Sequence, residues 1–359
     1  MMSVRSRRLL LSGNEYFSMI FQNNNTKLIQ GLLFLLVFVL SFSTCKKENS
    51  YHHNTGEVFK TRFNIKYKYN RILDKEIQDC FRKFDLSLNP FNKESIIYKV
   101  NNNESVEVDD WFITVFNKAM EVSEISDGRY DITCAPFINL WGFGFQKMND
   151  VADLQHAIDS LKQFVGYQKI RLESRKVIKE DPRLQLNASS IAKGYACDVI
   201  AKLLESYGIA NYLVEIGGEV HAKGKNQSGV CWRIEIPKPL DDASGWVHER
   251  MEVVGLCDKS IATSGNYRNF RVKDGKKYGH TINALTGYPA ESQILSASVL
   301  YPDCMTADAF ATVFMTMDLD EAVSLGNEIY DLDYLFIYAD EKGNLREKRS
   351  VNMDKYIVK

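Results

Sequence analysis

Apolar and polar residues alternate along this 359-residue chain in two rhythms. Phe63, Ile65, Tyr67 and Tyr69 recur at every second position, the period of a half-buried strand. Directly afterwards Leu73, Ile77, Cys80, Phe81 and Phe84 recur at helical spacing, so a helix is predicted to follow. A second helix is predicted over 110–126, with Phe112, Val115, Phe116 and Ala119 on one face and Gly128 as its stop. Leu154, Ala157, Ile158, Leu161 and Phe164 give a third. The fourth has the broadest apolar face, formed by Ile191, Ala196, Val199, Ile200, Leu203, Leu204 and Tyr207, and Gly208 sits where a C-cap belongs. A last major helix is predicted over 306–317, and strands over 212–216, 231–236, 294–301 and 334–338. Because strands and helices interleave without a regular βαβ period, the fold expected is α+β, with a mixed, mostly antiparallel sheet.

Ahead of these elements the pattern changes. Lys27 precedes an unbroken apolar run from Leu32 to Leu40, and Ser41-Phe42-Ser43-Thr44 lead to Cys45. A basic residue, a short apolar core and small residues before a cysteine make a secretory signal of the lipoprotein kind. The core falls short of the roughly 20 apolar residues of a spanning helix. Met19 is an alternative start, and a short uncleaved anchor helix is the other reading of the segment. In both readings the body lies outside the cytoplasm, held at the membrane. Residues 1–45 are thus expected to be a signal ending at the lipid-attachment residue Cys45, and residues 46–56 a flexible polar tether.

Charge and cysteine content narrow the picture further. Losing residues 1–44 removes four basic residues and one acidic one, so the formal charge of −1 becomes about −4. With no basic stripe interleaved with aromatics, a nucleic-acid partner is not expected. Six further cysteines are scattered without a C-x-x-C pair, which indicates neither a zinc site nor a disulfide framework. An exported location permits a disulfide among them, but cysteine is also a common buried small hydrophobe, and buried thiols are expected.

Four clusters depart from what packing alone requires. Gly128-Arg129-Tyr130-Asp131 runs on to Leu140-Trp141-Gly142-Phe143-Gly144, a loop able to fold over a flat ring or simply to bury a Trp. Ser189-Ser190-Ile191-Ala192-Lys193-Gly194 opens the fourth helix, where free N–H groups and a lysine attract an anion; a solvated lysine is the plainer reading. The glycines of Gly217-Gly218 and the segment Thr263-Ser264-Gly265-Asn266 permit close approach to a ligand, or a simple hairpin. Finally, His280 lies between turn signals, where an imidazole can serve as a general base or as a structural group. Asp308 and Thr312 stand four apart on one helical face, offering hard oxygens that suit Mg²⁺ completed by substrate phosphates.

Taken in order, these segments resemble the FAD:protein FMN transferase family, also called ApbE or thiamine-biosynthesis lipoproteins. The motifs are G-x-Y-D-x-T, L-W-G-F-G, I-A-K-G-Y-x-x-D, I-G-G-E, A-T-S-G-x-Y, H-x-I-N-x-x-T-G and A-D-A-x-A-T, and they extend from about Phe59 to about Tyr338. The resemblance implies one large catalytic domain over 57–359, binding FAD as substrate with Mg²⁺ and moving FMN to a Ser or Thr hydroxyl of an exported redox protein or electron-transport subunit, with release of AMP. It implies flavin contacts at Phe59 and Phe91, FAD contacts at Arg129, Tyr130, Asp131, Asn187 and Lys193, and a flavin-site base at His280. Metal ligands are implied at Ser190, through its carbonyl, and at Asp308 and Thr312, with Asp308, Lys193 and His280 carrying catalysis. The chain departs from the family's pattern where Asn187 replaces a usual Asp, Asn283-Ala284 a usual Asp-Pro, Ser189-Ser190 a glycine-richer turn and Phe91 a usual Tyr. The implied setting is a lipoprotein facing the periplasm, and the competing functions are FAD pyrophosphatase, non-catalytic flavin carrier and structural surface protein.

Overall fold

The computed structural model describes residues 49–145, 151, 153–239, 250–266, 270–273 and 276–358. The signal segment with Cys45, and residues 46–48 of the expected tether, lie outside these. From Ser50 onward the tether expectation is corrected: β1 (Ser50–Val58) pairs residue for residue with β2 (Thr61–Tyr69). Its polar composition belongs to an edge strand, whose outward face needs no apolar residues.

Two-stranded ribbons pair β3 (Ile170–Glu173) with β4 (Lys176–Lys179), β10 (Phe270–Lys273) with β11 (Lys276–Gly279) and β12 (Ile282–Asn283) with β13 (Tyr288–Pro289). The main sheet has eight strands, in the order β1, β2, β5 (Tyr212–Ile216), β6 (Glu219–Lys223), β9 (Asp258–Gly265), β14 (Ile294–Tyr301), β15 (Asp333–Ala339) and β16 (Leu345–Arg349). Every neighbouring pair in this sheet is antiparallel. Alternation sends Tyr212, Val214, Ile216, Val299, Tyr334 and Phe336 to one face, and Leu213, Leu300, Leu335 and Ile337 to the other. The first face is covered by helices, among them α1 (Asp74–Leu88), α3 (Asp110–Ile125), α6 (Ala192–Ser206) and α7 (Cys304–Phe314), with α2 (Ile96–Asn101), α4 (Ala135–Leu140), α5 (Leu154–Lys162) and α8 (Leu319–Glu328) completing the set. Each predicted helix is present. Asp109 caps α3 by accepting from the Phe112 amide, and Gly208 (φ 73°) ends α6 in the left-handed conformation.

The second face is covered by the hairpin of β7 (Trp232–Pro237) and β8 (Arg250–Leu256), which buries Trp232, Ile236, Val254 and Leu256 against it. Here the cysteine expectation is corrected. Cys231 and Cys257 form a disulfide, because the pairing of Trp232 with Leu256 places the residue before β7 opposite the residue after β8. Sequence spacing hides this, since 26 residues separate the two. Cys197 and Cys304 are buried thiols as expected, and Cys80 and Cys134 are half-buried.

Closing a loop of that length by a disulfide stabilises a fold by about 3 kcal/mol. The Cys231→Ser/Cys257→Ser variant is therefore expected to lose about 3 kcal/mol in urea unfolding relative to the oxidised chain, and reducing the parent is expected to reproduce that loss.

Candidate active site

Two helices make the centre of the site. At residue 194 a Cβ would lie 2.7 Å from that of Asp308 and would collide with the Cys304 carbonyl, so only glycine lets α6 and α7 come this close. The Gly194 amide uses the proximity to donate to Asp308 Oδ2 at 2.9 Å. Its partner in a regular helix would be the carbonyl four residues earlier, that of Ser190, which is left outside the helix ladder. One turn on, Asp198 accepts from the Cys304 and Met305 amides, each at 2.8 Å, satisfying free N–H groups at the start of α7. His221 Nδ1 holds the same carboxylate at 2.7 Å.

Lys193 extends from the first turn of α6 towards two buried carboxylates. Its ammonium donates to Glu219 Oε1 at 2.6 Å and stands 3.9 Å from Asp308 Oδ1. Burial works to neutralise the ammonium, but Asp308 and Glu219 outweigh it and hold its pKa above the ordinary lysine range. Burial also raises the Asp308 carboxyl, against Lys193 and the Gly194 amide, and pushes Glu219 up to about 7 against the pull of Lys193. Glu219 Oε2 is buried with no hydrogen-bond partner among the described residues. Two carboxylates facing one ammonium leave a local excess of negative charge.

Contacts and chain neighbours link the remaining site residues into a ring that passes through this centre. Gly217 (φ 69°) packs so tightly in the β5–β6 turn that a Cβ would meet Thr61 at 3.1 Å and Lys193 at 3.2 Å. Thr61 follows Lys60, whose ammonium lies 4.2 Å from the centroid of the Phe91 ring. Phe91 meets Phe145 edge-on, and Phe143, two residues earlier, meets His280 edge-on. Beside His280, Thr281 donates to Asn266 at 3.0 Å, and Ser264 on β9 lies 3.4 Å from the Thr312 hydroxyl. Thr312 returns to Asp308 through its carbonyl, also at 3.4 Å. The ring thus joins Lys193, Phe91, His280, Thr312 and Asp308.

Other expected residues serve as its supports. Phe59 packs on Phe81 and Phe84. Tyr130 is buried and accepts from the Ser190 hydroxyl at 3.3 Å. Asp131 accepts from the Thr133 and Tyr167 amides, each at 2.7 Å, and burial raises its carboxyl despite them. The Asn187 side-chain oxygen accepts from the Ser189 amide and hydroxyl, shaping the turn before α6. Arg129 pairs with Glu321 of α8 at 2.6 Å. Trp141 donates to the Gly287 carbonyl at 2.8 Å and packs on Tyr278, so the L-W-G-F-G loop and the histidine loop form one unit. Sequence reasoning missed Asp198 and Glu219 as site residues. The signal for both was a charged residue next to a glycine motif, at i+4 from Gly194 and directly after Gly217-Gly218.

This assembly of motifs is that of known proteins. A profile of the ApbE family matches residues 59–336. The chain belongs to the ApbE family. It is 35% identical to the FAD:protein FMN transferase of Vibrio cholerae over 308 residues, 83% of this chain and 91% of the relative. It is 32% identical to that of Haemophilus influenzae over 329 residues, 88% and 94% of the two. Among solved structures, the flavin transferase ApbE from Vibrio cholerae superposes with a TM-score of 0.75 at 31% identity, covering 86% of this chain and 99% of that one. The ApbE fold therefore accounts for the single α+β domain.

The contact between α6 and α7 leaves no room for a methyl group. Gly194→Ala is expected to cost about 3 kcal/mol in denaturant unfolding, more than an ordinary surface glycine in a helix, which an alanine would stabilise.

Proposed function

We infer that this chain is an FAD:protein FMN transferase, placing the FMN half of FAD on a Ser or Thr hydroxyl of an exported protein and releasing AMP. The observation that carries the reading is the ring of contacts that brings Lys193, Asp308 and Thr312 together with the aromatic loop and His280. One end is built for phosphates and the other for a flat ring. Family membership and the transferase relatives point the same way.

Mg²⁺ fits the phosphate end. Among the described residues no group of three His, Cys, Asp or Glu side chains stands together, so a metal here would draw on mixed oxygen donors and substrate phosphates. Asp308, the Thr312 hydroxyl and the Ser190 carbonyl are hard oxygens, and the excess negative charge with an unpartnered Glu219 oxygen favours a cation. When bound, Mg²⁺ offsets charge on the pyrophosphate oxygens.

The chain's own groups then divide the work. Lys193, fully charged at neutral pH, faces the pyrophosphate and stabilises negative charge as it builds there. The acceptor hydroxyl attacks the FMN phosphorus, the bond to the bridging oxygen breaks, and AMP departs with that oxygen. His280 takes the hydroxyl proton. Positioning and electrostatics supply the catalysis, as expected for phosphoryl-group chemistry, and no covalent nucleophile on the enzyme is required. The export reading draws support from the Cys231–Cys257 disulfide, a bond that persists in oxidising compartments, and from the lipoprotein-like segment ending at Cys45.

Incubating the full chain with FAD, MgCl₂ and a candidate acceptor domain is expected to add one FMN to the acceptor by mass spectrometry. EDTA or Asp308→Ala is expected to abolish the adduct, with the circular dichroism of the variant unchanged. Full activity in Asp308→Ala would remove Asp308 from the metal site, and release of AMP and FMN with no adduct on any acceptor would mark a hydrolase instead.

A further inference from the structure

The turn between β1 and β2 is strained, and it borders the site. Val58 pairs with Thr61, so the turn has two central residues. Both require positive φ in such a hairpin, a need that Asn-Gly meets with little cost. Here they are Phe59 (φ 51°) and Lys60 (φ 61°), whose side chains disfavour that region. Strain of this sort persists where the surroundings fix a side chain in place, and such places cluster at functional sites. Phe59 is accounted for by its packing on Phe81 and Phe84. Lys60 is exposed, and among the described residues no carboxylate pairs with it. Its ammonium rests instead over Phe91, a ring that is itself 54% exposed. The next residue, Thr61, abuts Gly217 beside Lys193. An unneutralised cation therefore stands between the lysine end of the ring and its aromatic end.

We propose that Lys60 is a second phosphate-binding cation, which leaves Phe91 for a phosphate of the flavin dinucleotide when the flavin ring stacks on Phe91. The inference rests on the FAD reading above and deepens it. An ammonium over one exposed phenyl ring is weakly held. A phosphate oxygen offers a charge-assisted hydrogen bond, which is stronger, and the flexible lysine stem lets the point charge follow it. The flavin ring takes the aromatic surface that the ammonium covers, so stacking and phosphate capture are coupled in one movement of one side chain. The strained turn holds Lys60 where both partners are within its sweep.

The test is a set of flavin-fluorescence titrations of the full chain in detergent with MgCl₂, using FAD, FMN and riboflavin on the parent and on Lys60→Gly, Lys60→Gln and Lys60→Arg. Lys60→Gly and Lys60→Gln are expected to weaken FAD and FMN binding by about tenfold, with a shallower salt dependence, and to leave riboflavin binding unchanged. Lys60→Arg is expected to keep most of the affinity. Glycine also relaxes the turn, so Lys60→Gly is expected to raise Tm by about 2 °C while it weakens FAD binding, a pairing that a purely structural role does not produce. Unchanged FAD affinity in both neutral variants, or an equal loss for riboflavin, overturns the proposal alone. A parent chain that binds no FAD overturns it together with the transferase reading.

Discussion

The approach of α6 to α7 at Gly194 is the contact on which the site depends. Removing one side chain allows a backbone amide to fix Asp308 directly, so the orientation of that carboxylate is set by main-chain geometry and not by a mobile partner. Asp198 secures the same pair of helices a turn further on by taking two amides of α7 that have no partner inside the helix. The helix so held is buried on nearly every side, with Ala307, Ala309, Phe310 and Ala311 at or near zero exposure. A shift of α7 would disturb the core and the site together, which is how a buried helix gives rigidity to the side chains it carries.

Electrostatics gives this rigidity its purpose. Asp308 and Glu219 are kept out of water and share one lysine, an arrangement that costs stability in the folded chain. On the metal reading proposed above, that cost would be offset by the bound cation, which would complete the charge balance. Lys193 remains about one-third exposed, so its ammonium is open to solvent while the carboxylates beneath it are closed off.

Much of this was legible in the chain. Two-residue and helical periods located β2, α1 and α3 because each buries one clear face, while β5 and α6, buried on more than one side, showed as apolar runs of strand and helix length. Asp308 and Thr312 could be paired from their spacing alone, since a helix fixes which residues share a side. The polar edge strand β1 carries no such alternation, and so it read as a tether. β6 and β9 alternate weakly because they hold the buried polar residues Glu219 and Ser260 in the middle of the sheet. The disulfide and the Lys193–Glu219 pair are long-range contacts, the first fixed by strand register and the second by the seating of α6 against the β5–β6 turn, and local sequence encodes neither.

The order of the eight strands rises steadily with position in the chain, so the sheet is a meander interrupted by excursions between adjacent strands. The excursion from β2 to β5 brings Phe91, Tyr130, Ser190 and Lys193; that from β9 to β14 brings His280; that from β14 to β15 brings Asp308 and Thr312. Each leaves and re-enters at neighbouring strands, and the entropy of closing such a loop grows only slowly with its length. Evolution can therefore lengthen or rewrite one excursion without re-threading the sheet. New acceptor proteins or altered flavin handling can be accommodated by editing a single insert while the meander beneath it stays as it is.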